Sequence, residues 1–263
     1  MIKIKENREG IVECVIDLER IYSDEGLKKF NSRWAEFFES DDANASVFKR
    51  NGNTIIYHHK SWIPWKKDNK ASVLMLFGNS ASHSVREDIY FSYEGNGSEH
   101  RVWKVFRELG FINLSSNPKT MKQDFFNLMY ESPFRLGFEV IYTFPSSASK
   151  PKWSGVAGLE RLFGKKVMKF MLESEKTRVL PLLREFTKDG GAIIALQKDA
   201  YNSVAQNSYN QKQAMNFELK SGFDNSIKIY GTPPTRFIYS IKMKELLRNI
   251  KEEILDNYSE RRI

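Results

Sequence analysis

Cysteine is almost missing from this chain. Of 263 residues only Cys14 is a cysteine. An internal disulfide is therefore excluded, and a reducing, cytoplasmic setting is expected. Histidine is scarce as well, at four residues. No Cys/His cluster has metal-ligand spacing, so neither a metal nor another cofactor is expected. The longest apolar runs are about five residues, too short for a membrane-spanning helix. The start, Met1-Ile2-Lys3-Ile4-Lys5-Glu6, lacks the apolar core of a signal peptide. Internal repeats are absent, and no linker is long enough to split the chain, so one domain over residues 1–263 is expected, as a monomer. A Gly-Lys-Ser/Thr phosphate cradle and the repeated glycines of a dinucleotide site are also missing.

What the chain has is a set of short, wholly apolar segments, each ending in small or polar residues. Val73-Leu74-Met75-Leu76-Phe77 has no polar break and reads as a strand buried on both faces, as in a parallel sheet covered by helices. The following Gly78-Asn79-Ser80-Ala81-Ser82-His83-Ser84 reads as a loop at its carboxyl end, where open α/β sheets bind ligands. Phe138–Pro145 reads as a second buried strand, followed by the Ser/Pro/Lys loop 146–152. Ala192–Leu196 reads as a third, after a helix over Lys176–Phe186. Ser226–Tyr230 reads as a fourth and leads into Gly231-Thr232-Pro233-Pro234. Helices are expected over Glu99–Leu109 and Ser240–Tyr258, from apolar residues recurring on one face. Asn202–Gln213, rich in Asn, Gln and Ser, reads as a loop or a frayed helix start. The fold class is α/β, a three-layer α/β/α arrangement around a mostly parallel sheet.

The first 70 residues read as an extension packed on that core. Leu18, Ile21, Leu27, Phe30, Trp34 and Phe37-Phe38 recur at helical spacing between Asp17 and Glu39. Asn51-Gly52-Asn53 signals a hairpin turn. Trp62 and Trp65 either fasten the extension or stack on bases. His58 and His59 alternate faces, so at most one points inward. Cys14 lies among alternating apolar residues, as a core thiol does.

The order strand, glycine-led polar segment, Phe91-Ser92 pair and amphipathic helix resembles the uracil-DNA glycosylase superfamily. The resemblance covers roughly residues 70–250 and four motifs in order. It implies that Gly78 matches the glycine of the first motif and that Asn79 or Ser80 positions the attacking water. Ala81 sits near the place of the family's usual proline. Phe91 matches the aromatic that stacks on the extruded base. Thr143 stands where many members carry an Asn that reads the base edge. Thr232 holds the place of a His in the last motif, with Pro233 as its proline. The iron–sulfur cluster of some members is excluded by the single cysteine. With Ser82 beside them, Gly78, Ser80, His83, Phe91, Thr143 and Thr232 are expected to line one cleft at the strand ends.

The implied activity is hydrolysis of the N-glycosidic bond of a modified or deaminated base in single- or double-stranded DNA. Its transition state is an oxocarbenium ion leaving a base anion. The nearest acids, Glu87 and Asp88, either reach the site or begin the next helix, where acids favour the N-terminus. His83 either donates a hydrogen bond to the leaving base or packs against Tyr90 or Tyr93. A net charge of +8 suits a polyanion. Lys150, Lys152 and Arg236 follow strand ends and would contact phosphates, unless they are simply solvated. The alternative reading is a non-catalytic protein of the same fold that binds nucleic acid or a nucleobase.

Overall fold

The computed structural model describes residues 2–6, 11–64, 66–92, 98–115, 117–223 and 227–260. Trp65 and Tyr93 lie outside the described residues. Two compact units emerge. The first holds residues up to Ser61, Gly78–Tyr90 and Val140–Val179; the second holds Trp62–Phe77, Phe91–Glu139 and everything from Leu180.

The chain opens with β1 (Ile2–Glu6), β2 (Ile11–Asp17), α1 (Asp24–Glu39), α2 (Asn44–Val47), β3 (Lys49–Asn51) and β4 (Thr54–Lys60). Its strands form an antiparallel sheet in the order β1-β2-β4-β3. The expected hairpin is present, with Gly52 at φ +56° in its turn, a conformation glycine adopts without a Cβ clash. The expected helix starts later than its apolar spacing suggests. Ser23 caps it by accepting from the Gly26 amide, which leaves Leu18 and Ile21 ahead of the first turn. Sheet pairing claims the segment before it. Val12, Cys14 and Ile16 alternate inward with no exposure, and Cys14 stands opposite Tyr57 on β4. Phe30, Trp34 and Phe37 share one buried helical face. With Phe48, Tyr57, Phe144 and Phe163 they make a continuous aromatic core. His59 is buried and faces the Tyr90 hydroxyl at 3.5 Å. His58 points out, 3.4 Å from Glu13.

There follow β5 (Ala71–Ala81), α3 (Ser82–Arg86), α4 (Arg101–Glu108), α5 (Pro118–Phe126), β6 (Phe134–Ser146), α6 (Gly155–Phe163), α7 (Lys165–Thr187), β7 (Ala192–Leu196), α8 (Lys198–Val204), α9 (Gln211–Met215), β8 (Lys220–Phe223), β9 (Ile227–Thr232) and α10 (Ile241–Glu260). The second sheet has the order β6-β5-β7-β9-β8. Strands β5, β7 and β9 are parallel, and β8 runs antiparallel to β9. Arg135, early in β6, bonds Ser72, early in β5; late in both, Asn79 bonds the Phe144 carbonyl. The two strands therefore run the same way. The fold is α/β with a mostly parallel five-stranded sheet flanked by helices, consistent with a three-layer arrangement.

Two expectations are corrected. Gly78–Ala81 is not loop but the end of β5, because β6 is thirteen residues long and still runs alongside there. Glu87 and Asp88 do not open a helix: they close α3, and Asp88 turns left-handed at φ +53°. The polar stretch 202–213 begins in the end of α8, runs as loop, and enters α9 at Gln211, as the reading of a loop or helix start allows.

In the second unit Trp62 is buried against Trp103, Phe125 and Phe126, so its ring is not available to stack on bases. Arg135, 4% exposed, donates to Ser72 and to the Lys66 and Phe186 carbonyls, and lies 4.6 Å over the Phe186 ring.

The first unit holds a buried ion pair. Glu175 and Arg178, one turn apart on α7, meet at 3.1 Å with side chains 2% and 5% exposed. Glu175 accepts from the Thr143 amide at 2.8 Å and from the Thr143 hydroxyl. Arg178 donates to the Val140 carbonyl at 3.0 Å. Two side chains of one helical turn thus satisfy two backbone groups of β6. Removing one partner of such a pair strands the other charge, at a cost of about 3–5 kcal/mol. Glu175→Leu is expected to lower the unfolding free energy by about that much in urea titrations. Glu175→Gln should lose less, because its amide oxygen still accepts from Thr143. A loss below about 1 kcal/mol for the Leu variant would mean that the pair carries little of the fold.

Candidate functional site

The carboxyl end of β5 and the start of α3, in the first unit, carry four of the polar side chains that the sequence singled out, Asn79, Ser80, Ser82 and His83. Gly78 is buried; Asn79, Ser80 and His83 are half-buried; Ser82 is fully buried. The Asn79 amide nitrogen donates to the Ser80 carbonyl at 3.1 Å and the Phe144 carbonyl at 3.3 Å. Both partners only accept, so the amide orientation is fixed. Its oxygen is left without a partner among the described residues, as is the Ser80 hydroxyl. Asn79 and Ser80 are successive residues of β5, so their side chains leave opposite faces of the strand, and each can hold a water only on its own face.

Two residues that the sequence reading passed over hold this end in place. Asn44, with no exposed surface, accepts from the Ser82 hydroxyl at 2.6 Å and donates to the Phe37 carbonyl at 2.9 Å. Asp41, 5% exposed, accepts from the Ala43 and Ala148 amides, both at 3.1 Å. It thereby ties the turn after α1 to the loop after β6. Ser147 donates to the Ser40 carbonyl, and Ser146 accepts from the Gly155 amide. The signal was local: Asp41-Asp42-Ala43-Asn44 follows a helix end, and Asp and Asn bond nearby backbone there.

Burial pushes the His83 imidazole below its ordinary pKa; Asp41 works against this and Arg86 with it. The ring is therefore neutral at pH 7, with one nitrogen able to donate and one to accept. Asp41 has each oxygen committed to a backbone amide, and Glu87 pairs with Arg86 at 2.9 Å.

Thr143 belongs to the interior instead. It is fully buried, and its hydroxyl contacts Glu175, Tyr57 and Cys14. Burial, followed by Glu175, pushes the Cys14 thiol up to about 11, so it is a protonated core residue and no nucleophile. Lys150 is exposed with no partner among the described residues. Lys152 pairs with Glu36 and lies 4.8 Å over the Trp153 ring.

The remaining residues belong to the second unit. Phe91 adopts φ +52°, a strained conformation for an aromatic residue. Its ring packs 5.0 Å from Phe77 and 5.1 Å from His100, and its carbonyl accepts from Trp103. Thr232 and Pro233 are buried, and the Thr232 hydroxyl turns to the Pro233 carbonyl at 3.1 Å. The Thr232 carbonyl accepts from the Gln197 amide and the Tyr209 hydroxyl. Gln197, at the end of β7, is itself strained at φ +103°. Arg236 is exposed and lies 5.0 Å over the Phe237 ring.

Among the described residues no group of three or more His, Cys, Asp or Glu is placed to hold a metal, and no helix is long and apolar enough to cross a membrane. No model of a known protein family matches the chain, and comparison with curated proteins finds no match either.

His83 generates a pH prediction. Its folded pKa lies below the unfolded value of about 6.5, so the unfolded chain binds the extra proton first. The resulting destabilisation is absent above pH 6.5 and grows as pH falls through that value towards the folded pKa. His83→Gln is expected to reduce the fall in melting temperature between pH 7 and pH 5. An unchanged fall would place the acid sensitivity elsewhere.

Proposed function

We propose that this protein is a DNA glycosylase-like hydrolase that cleaves the N-glycosidic bond of a modified or deaminated base. The reading rests on the β5 end of the first unit. One observation carries it: the Asn79 amide is locked by two carbonyls, so its oxygen is presented as a fixed acceptor at a half-buried strand end. A fixed acceptor of this kind can hold a water through one of its hydrogens. The chemistry then runs without a covalent enzyme intermediate. Asn79 orients a water towards the sugar carbon. The bond to the base breaks with its electrons leaving on the base, the water oxygen bonds to the sugar carbon, and the proton that the water gives up ends on the base anion. His83, neutral and half-buried, donates a hydrogen bond to the departing base, which lowers the cost of the developing anion. Lys150 supplies a phosphate contact, worth a salt-dependent share of affinity.

A second reading has its own support. Asp41 is committed to two backbone amides and Glu87 to Arg86, which leaves neither carboxylate available to stabilise an oxocarbenium ion. A protein that binds a nucleobase or DNA without cleaving it fits the same site.

Both readings are tested with oligonucleotides carrying uracil, hypoxanthine, xanthine or mismatched thymine, treated with alkali after incubation. The expected result is slow release of at least one base. The Asn79→Ala, Ser80→Ala double variant should lower the single-turnover rate by roughly tenfold or more while leaving DNA affinity nearly unchanged, because the water is held only for the chemical step. Release that survives the double change would refute this site. Retained DNA binding with no release from any substrate would favour the binding protein.

A further inference from the structure

We propose that the second unit carries a stacking platform for single-stranded nucleic acid, built from Arg101 and the segment Arg236–Ile241, with the Tyr239 ring as its plate. The inference rests on the nucleic-acid reading above and adds a strand preference to it.

Tyr239 is 51% exposed and Ile241 74% exposed. They stand two positions apart in the chain, and their exposed surface is open to a ligand. They are not loose. Ile238 and Met243, on either side, are fully buried, and the turn Thr235–Phe237 closes through bonds from the Phe237 and Ile238 amides. The segment is therefore held from behind while Tyr239 and Ile241 face outward. The Arg101 guanidinium lies 5.8 Å over the Tyr239 ring, and the Tyr239 hydroxyl has no partner among the described residues.

The surrounding charge selects the partner. Residues 231–244 contain no Asp or Glu. Arg236 and Lys242 are exposed and carry no ion pair among the described residues, whereas Lys244 is paired with Glu108 at 2.6 Å. An exposed aromatic ring under the Arg101 guanidinium, in a segment that also carries the exposed Arg236 and Lys242, suits a ligand with flat rings and a regular negative charge. A single strand offers both, because its bases are free to leave their neighbours and stack on protein. In a duplex the base faces are covered by each other, so only the phosphates remain available. An acidic peptide would satisfy the cations but would gain little from the ring.

The test is fluorescence anisotropy with a labelled oligothymidylate of roughly 15 nucleotides, within the span such surfaces cover, and with a blunt duplex of equal length. Tyr239→Ala is expected to weaken single-strand binding by at least about fivefold, the lower end of what one stacked base contributes. Tyr239→Phe should stay within about twofold of wild type, since the ring face does the stacking. Duplex affinity should move less than single-strand affinity in the Ala variant. Three outcomes would overturn the platform while leaving the nucleic-acid reading intact: an unchanged Tyr239→Ala affinity, equal losses on both substrates, or a loss in the Phe variant as large as in the Ala variant. Displacement of the oligonucleotide by polyglutamate at matched charge would reduce the surface to a simple cation patch and overturn it too. A wild-type protein that binds neither strand form would remove the platform together with the reading on which it rests.

Discussion

The pair formed by Glu175 and Arg178 is the constraint on which the first unit turns. A carboxylate and a guanidinium withdrawn from water cost several kcal/mol each unless every lone pair and proton finds a partner. Here the surplus bonding capacity goes to the backbone of β6, at Val140 and Thr143. Thr143 then passes the connection on to Tyr57 and Cys14, on β4 and β2. A helix, a strand of the parallel sheet and two strands of the antiparallel sheet are joined through one polar knot inside an aromatic core. Apolar packing there is tolerant of small slips. Hydrogen bonds to charged groups are not, because a displacement of an ångström leaves a buried ion unsatisfied. The knot thus sets the depth at which β6 sits and, through the Phe144 carbonyl, the place where Asn79 is anchored.

The same logic, at lower charge, organises the β5 end. Asn44 and Asp41 use nearly all of their bonding capacity to hold Ser82 and the loop after β6. Interior polar groups thereby fix the outline, while Asn79, Ser80 and His83 keep capacity in reserve. This division between committed and uncommitted polar atoms separates a binding surface from ordinary loop scaffolding, because a preorganised donor or acceptor needs no rearrangement at the moment of use.

Much of the core was legible in the sequence. Ala192–Leu196 and the hairpin around Gly52 fall where the residues place them, since a five-residue apolar run and an Asn-Gly turn each have one economical conformation. The limits of β5 were not legible. Gly78, Asn79 and Ser80 have loop-like propensities, and only the neighbouring strand makes them extend. The first sheet was obscured for a similar reason: β2 shows its alternation at Val12, Cys14 and Ile16, but the short partner β1 does not announce the pairing. At the site, Asn79, Ser80, Ser82 and His83 could be named from their position after an apolar run. Thr143 looked like an equivalent strand-end residue and lies inward, because its outcome depends on Glu175, 32 positions away in the chain. Asp41 and Asn44 carried a local signal, their place after a helix end, but that signal marks a backbone-binding residue without saying that it reaches across to another loop.

The position of Cys14 has a consequence for observing the molecule in motion. Its sulfur lies 3.2 Å from the Thr143 hydroxyl with no exposed surface, and the thiol stays protonated to about pH 11. A maleimide or disulfide reagent cannot reach it while β2 and β4 are seated. Since the chain has one cysteine, each labelling event records one opening of this part of the fold. The natural protein therefore carries a built-in clock for the breathing of its polar knot, readable without introducing any probe.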